Sequence, residues 1–352
     1  MSGGGPTTPL GRLEPWRVAV AVAISLGLGI GAYALIGRLA DSGALTEAVR
    51  SAGWPWLGLC LVGFLAAYAG YVAAYRETAA AFGGPELPYR VVTGVVITGF
   101  GAYTVGTAAG GLAVDFWAMH RAGLAASDAA RRVLALNTLQ WTSITVATAL
   151  ASAASLLGAG GDAVPRWLAW TWIAIVVPCL AAAAWVSAPA RRTTLSRVTG
   201  VGPVRAAFGT AIGGVVLVRR LYLAPRRYRL ALSGYPVYWL GNGLCLFAGL
   251  TAFGPAPNVV ALLVAYTTGY IAVALPLPAG GAGGVDAALV FAVTLIVIDL
   301  EQALLGVGVY RALNFWLQVL PALMLIPALP RLALRLEQVG EARASAAPAG
   351  AA

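Results

Sequence analysis

Five long stretches of the chain carry no charge at all: residues 18–36, 54–75, 133–157, 167–188 and 230–253. An uncharged apolar run of about 20 residues is the length of a helix that crosses a bilayer. Inside hydrocarbon the backbone must satisfy its own hydrogen bonds, so such runs fold as helices. Composition agrees: 60% of the 352 residues are hydrophobic and 10% are charged, against roughly 25% charged in a soluble domain. The expected fold is therefore all-α, a polytopic membrane protein with about 7–8 transmembrane helices. Residues 1–15 read as a flexible tail, 16–335 as one transmembrane unit, and 336–352 as a flexible C-terminal tail.

Two segments do not fit plain spans. The first is 91–114, which is uncharged but interrupted by Gly94, Gly99, Gly101, Gly106, Gly110 and Gly111, and closed by Asp115. The second is Pro276-Leu277-Pro278-Ala279-Gly280-Gly281-Ala282-Gly283-Gly284-Val285-Asp286. Proline and glycine of this density break a helix, and a break at membrane depth is tolerated only where protein or a wet cavity supplies partners. An acid beside such a break marks a functional site. Residues 259–275 read as a span before the second break, and a helix starting within the glycines and running to 298 reads as a crossing after it. Gly110-Gly111 before Asp115 echoes Gly283-Gly284 before Asp286. Asn137 with Trp141 is likewise echoed by Asn314 with Trp316. Interrupted segments at corresponding places suggest two repeats around a central site.

Charge orients the chain. All 23 basic residues are Arg, and no acid occurs between Asp162 and Asp286. Nine Arg, from Arg191 to Arg229, fall between two spans, so the 189–229 loop is expected to face the cytoplasm. Residues 206–218 within it suit an interfacial or re-entrant helix. The loop is either a topology determinant only or also a binder of anionic headgroups. Placing the N-terminus and this loop on one side requires 91–114 to dip in and return. The net charge of +10 follows from the same rule and does not call for nucleic acid.

Arg311 lies inside the last apolar stretch, where a charge costs at least ~2.5–3.5 kcal/mol. Asp286 is its natural partner, either as a clamp on the broken helix or as part of a phosphate-attracting site with the Gly283 helix N-terminus. Asp115 is either a cap or interface charge or the acid of a second half-site. Asn314, like Asn137 and Asn242, could simply bond between helices. Tyr68, Tyr71 and Tyr75 suit an interfacial belt. His120 is the only histidine and reads as structural. Cys60, Cys179 and Cys245 read as small core residues. HExxH, CxxC, P-loop and GxSxG patterns are all absent, so neither a metal nor another cofactor is expected. A carboxylate enzyme would need Asp115 and Asp286 to converge.

Pro278, Gly280, Gly281, Gly283, Gly284 and Asp286, followed by Tyr310-Arg311 on the next helix, resemble the lysylphosphatidylglycerol synthase transmembrane-region family. Its pattern is Pro-x-Pro-Gly-Gly-x-Gly-x-x-Glu and then a Tyr-Arg helix. This chain inserts Ala279 and has Asp286 for Glu, and Asn137 stands about where that family often has Arg. The resemblance implies a flippase-like domain without the soluble aminoacyltransferase, located in a bacterial inner membrane. The expected cargo is an anionic or aminoacylated phospholipid or another lipid-linked molecule. The expected site is Asp286, Arg311, Asp115, Tyr310, Asn314 and the glycines of the break. A second copy or a lipid-synthesis enzyme is the expected protein partner. A headgroup-modifying membrane enzyme and a noncatalytic scaffold are the alternatives.

Overall fold

A computed structural model describes residues 15–38, 42–105, 108–160, 163–189, 203–275 and 281–346. Expectations for 1–14, 190–202 and 347–352 lie outside these. Every described element is helical: α1 (Pro15–Gly37), α2 (Ser42–Arg50), α3 (Trp54–Ala80), α4 (Tyr89–Val105), α5 (Ala108–Arg121), α6 (Ala126–Leu156), α7 (Arg166–Ser187), α8 (Pro203–Leu223), α9 (Arg229–Thr251), α10 (Val259–Tyr270), α11 (Gly284–Thr294), α12 (Leu300–Arg311), α13 (Leu317–Leu325) and α14 (Leu329–Ala346). A 3-10 turn (Ile271–Ala274) prolongs α10, and a π-helical turn (Ala312–Trp316) joins α12 to α13. Trp54–Ala80, Ala126–Leu156, Arg166–Ser187 and Leu300–Ser345 are long and apolar enough to cross a membrane. The 23 residues each of α1 and α9 give about 34 Å. The protein is a polytopic, all-α membrane protein.

The centre of the bundle is the antiparallel pair α3–α9, and glycine makes it close. A Cβ on Gly63 would meet the Gly241 carbonyl oxygen at 2.6 Å, and one on Gly70 the Gly234 oxygen at 2.6 Å. One on Gly241 would meet Gly63 O and Ala67 N, both at 2.5 Å. Rows of small residues let membrane helices touch backbone to backbone, where packing rather than the hydrophobic effect holds them. This close face turns the tyrosines of α3 inward. Tyr75 is fully buried, and Tyr71 packs on Phe100, Tyr235 and Tyr238 with centroids 5.1–5.5 Å away. The interfacial belt expected there is not formed by Tyr71 and Tyr75.

Arginine gathers one end of the bundle. Arg132 donates to the carbonyls of Thr78, Ala79 and Ala81 at 2.7–3.0 Å. Arg219 donates to Ser187 O, and Arg220 stacks over Phe82, which meets Tyr228. Arg343 bonds Gly83 O at 2.8 Å and Gly123 O at 3.3 Å, and Arg121 pairs with Glu337. At the other end Gln302 Nε2 joins Leu250 O and Pro255 O, and Gly53 N–H donates to Ala252 O.

These anchors define two helical hairpins of opposite direction. Segment 91–114 does dip and return: Gly110 of α5 abuts Ala102 of α4, while both outer ends, near Gly83 and Gly123, meet Arg343. The second hairpin corrects an expectation. Neither 259–275 nor the helix after the glycines crosses. They pair instead, Gly269 lying against Ala288 and Leu289, with both outer ends at the Gln302 side. The reason is length, since α10 with its 3-10 turn and α11 are both short. Each half therefore runs helix, hairpin, helix (α3 to α6, then α9 to α12), in opposite senses, as two inverted repeats.

Two further expectations change. The C-terminal stretch from 336 is helical through Ala346, not a flexible tail: Leu336 is fully buried and Gly340 lies against Gly123. The Arg-rich loop contains α8, longer than the 206–218 expected, with Gly213 and Gly214 laid on Arg131 and Leu134 of α6. A helix that binds orphan carbonyls through its own Arg residues gains order that composition alone does not reveal.

Candidate functional site

The two hairpins point at each other, and a cavity of about 290 Å³ opens between them. Hairpin one contributes Gly99, Tyr103, Gly111 and Asp115; hairpin two contributes Tyr270, Val273 and Ala274. Asn137, Gln140 and Trp141 of α6 form one wall. Tyr310, Arg311, Asn314, Phe315 and Gln318 form the wall opposite, and Tyr71, Tyr238 and Asn242 the floor between.

Arg311 is held from behind. Asp286 is fully buried, and its Oδ1 accepts Arg311 Nε at 2.7 Å. Its Oδ2 accepts the Gly283 N–H at 2.6 Å and Arg311 Nη2 at 3.5 Å. One carboxylate thus caps the first turn of α11 and neutralises the guanidinium. Local sequence explains the geometry. Asp286 is the third residue of its helix, which is where an acid reaches back to the cap N–H. Gly283 sits at φ +80°, and a Cβ there would meet Leu28 O of α1 at 2.8 Å, so this corner requires glycine. On its other side Arg311 lies 4.2 Å over the Phe315 ring. Among the described residues its Nη1 has no hydrogen-bond partner, and it is left for the cavity. The π turn begins immediately after Arg311, and such turns sit at functional sites because they re-aim side chains.

Of the expected site residues, Asp115, Tyr310, Arg311 and Asn314 come together on the cavity wall. Tyr310 is committed through its hydroxyl, which meets Tyr266 Oη at 2.9 Å and donates to Asn242 Oδ1 at 3.2 Å. Asn314 Nδ2 donates to Cys245 Sγ and Tyr310 O at 3.3 Å. Asp286 and Gly283 support the wall from behind. Gly281 (φ +79°) and Gly284 shape the break without lining the cavity. Pro278 and Gly280 lie outside the described residues. The two acids do not converge, because Asp286 is locked under Arg311 while Asp115 faces the cavity. His120 donates through Nδ1 to Leu124 O and stacks on Phe116, away from the cavity.

Sequence reasoning missed the aromatic lining of Tyr71, Tyr103, Tyr238 and Tyr270, and the amides Gln140 and Gln318. A signal existed for the amides. Arg311, Asn314 and Gln318 recur at i, i+3, i+7, and Asn137 and Gln140 at i, i+3, which places each set on one face of its helix.

The family model described as "Lysylphosphatidylglycerol synthase TM region" matches residues 18–322. No curated protein matches the chain.

Proposed function

Because the chain belongs to the lysylphosphatidylglycerol synthase transmembrane-region family, and so is a membrane protein concerned with lipid handling, we propose that it moves phospholipid headgroups across the bilayer through the cavity between its hairpins. The observation that carries this reading is a cavity enclosed by apolar helices, with a guanidinium on one wall and an unpaired carboxylate among its lining residues. Arg311 suits a phosphodiester, since a guanidinium presents several donors to phosphate oxygens. Asp115 and the rings of Tyr71, Tyr103, Tyr238 and Tyr270 suit an ammonium, which is drawn to a carboxylate and to aromatic faces. An aminoacylated phospholipid carries both groups. The acyl chains would stay in the surrounding lipid while the headgroup passes between the hairpin tips.

The reading is of a carrier and not of an enzyme, and its partner is the membrane lipid. We place the protein in a bacterial inner membrane with the Arg-gathered end, including α8, in the cytoplasm, following the positive-inside rule.

Headgroup mapping tests this. A phospholipid bearing a photoreactive headgroup is reconstituted with the protein, irradiated, and its adducts located by mass spectrometry. Adducts on Tyr103, Asn137 or Gln318 are expected. Adducts confined to the Arg end and the lipid-facing surface would overturn the reading.

A further inference from the structure

The cavity holds one charge too many. Arg311 and Asp286 compensate each other, but Asp115 is only 7% exposed and no hydrogen bond or ion pair reaches its carboxylate among the described residues. The groups facing it do not supply a countercharge. On α4 it meets Gly99, whose Cβ position is 3.8 Å from Oδ1. From α3 and α9 it is faced by the phenols of Tyr71, Tyr75 and Tyr235. Tyr75 and Tyr235 hydroxyls are themselves buried without a partner among the described residues. From α6, Asn137 and Gln140 are neutral. Of the charged groups on α5 and α14, Arg121 and Glu337 pair with each other at the Arg end, and His120 is bonded to Leu124 O.

A buried carboxylate left ionised and alone costs several kcal/mol. Two species can neutralise it, a proton or a cationic group entering the cavity, and they compete for the same two oxygens. Resting on the headgroup reading above, we propose that Asp115 is an exchange site, where a proton leaves as the ammonium of a lipid headgroup arrives. The step balances: the neutral acid and the alkylammonium become a carboxylate–ammonium pair, and one proton passes to water. When the headgroup departs, a proton returns. Lipid movement is thereby coupled to a proton gradient with no nucleotide required.

The test uses the full-length protein in detergent at low buffer strength with a pH-sensitive dye. Short-chain phosphatidylethanolamine, which carries phosphate and ammonium, is compared with short-chain phosphatidylglycerol, which lacks the ammonium. Binding is followed separately by calorimetry. Stoichiometric proton release is expected with the ethanolamine lipid, none with the glycerol lipid, none from Asp115→Asn, and release again from Asp115→Glu. Ethanolamine-lipid binding without release, or equal release from Asp115→Asn, would overturn the exchange and leave the headgroup reading standing. Failure of both lipids to bind would overturn the headgroup reading, and the exchange with it.

Discussion

Replacing Arg311 with Leu should destabilise the protein by about 3–5 kcal/mol, because it leaves Asp286 ionised and sealed away from water. Asp286→Asn should cost less. Asparagine can still accept the Gly283 N–H, and Arg311 faces the cavity, where water can reach its free Nη1. The double variant Arg311→Met with Asp286→Leu should recover part of the stability, since a buried pair is often replaced by apolar residues at little cost, while the Gly283 N–H loses its acceptor. It should not recover lipid movement, because the cavity then lacks its only fixed cation among the lining residues. Thermal unfolding in detergent and a leaflet assay on the same four proteins measure both effects. If the double variant transports normally, the pair is a clamp on the broken helix and nothing more.

The second large effect lies at α3–α9. Gly241→Leu should cost about 3 kcal/mol or more, at or above the upper end for an overpacked core. The added side chain would strike Gly63 O and Ala67 N, which are backbone atoms and cannot rotate away. Gly243→Leu on the same helix has nothing within 4 Å of its Cβ position and should be near neutral. Unfolding midpoints of the two variants decide the point. Equal midpoints would mean that the helices are not in backbone contact.

Much of this was legible in the sequence for a plain physical reason. Charge is so costly in lipid that Asp115, Asp286 and Arg311 stand out, and glycine is so disruptive to a helix that the interruptions before Asp115 and Asp286 could be read, though only the first reads as a return. The return of 91–114 followed from counting spans against the Arg loop. What was not legible depended on which faces meet. Apolarity in 259–275 is the same whether a helix crosses or turns back, and only the pairing of Gly269 with Ala288 and Leu289 decides it. Tyr71 and Tyr75 read as interfacial because tyrosine prefers that depth. The glycine row beside them draws α9 in and buries them. That row signals only when matched with its counterpart far along the chain, Gly63 with Gly241 and Gly70 with Gly234.

The most direct test of the account is movement of a fluorescent aminoacylated phospholipid between leaflets of proteoliposomes, with wild type compared against Asn137→Trp. Asn137 lines the cavity, and its side chain makes no hydrogen bond among the described residues, so the substitution fills the path without breaking a wall. The account predicts movement by the wild type and its loss in a variant that folds as well as the parent. Equal movement by both proteins would mean that the headgroup does not pass between the hairpins.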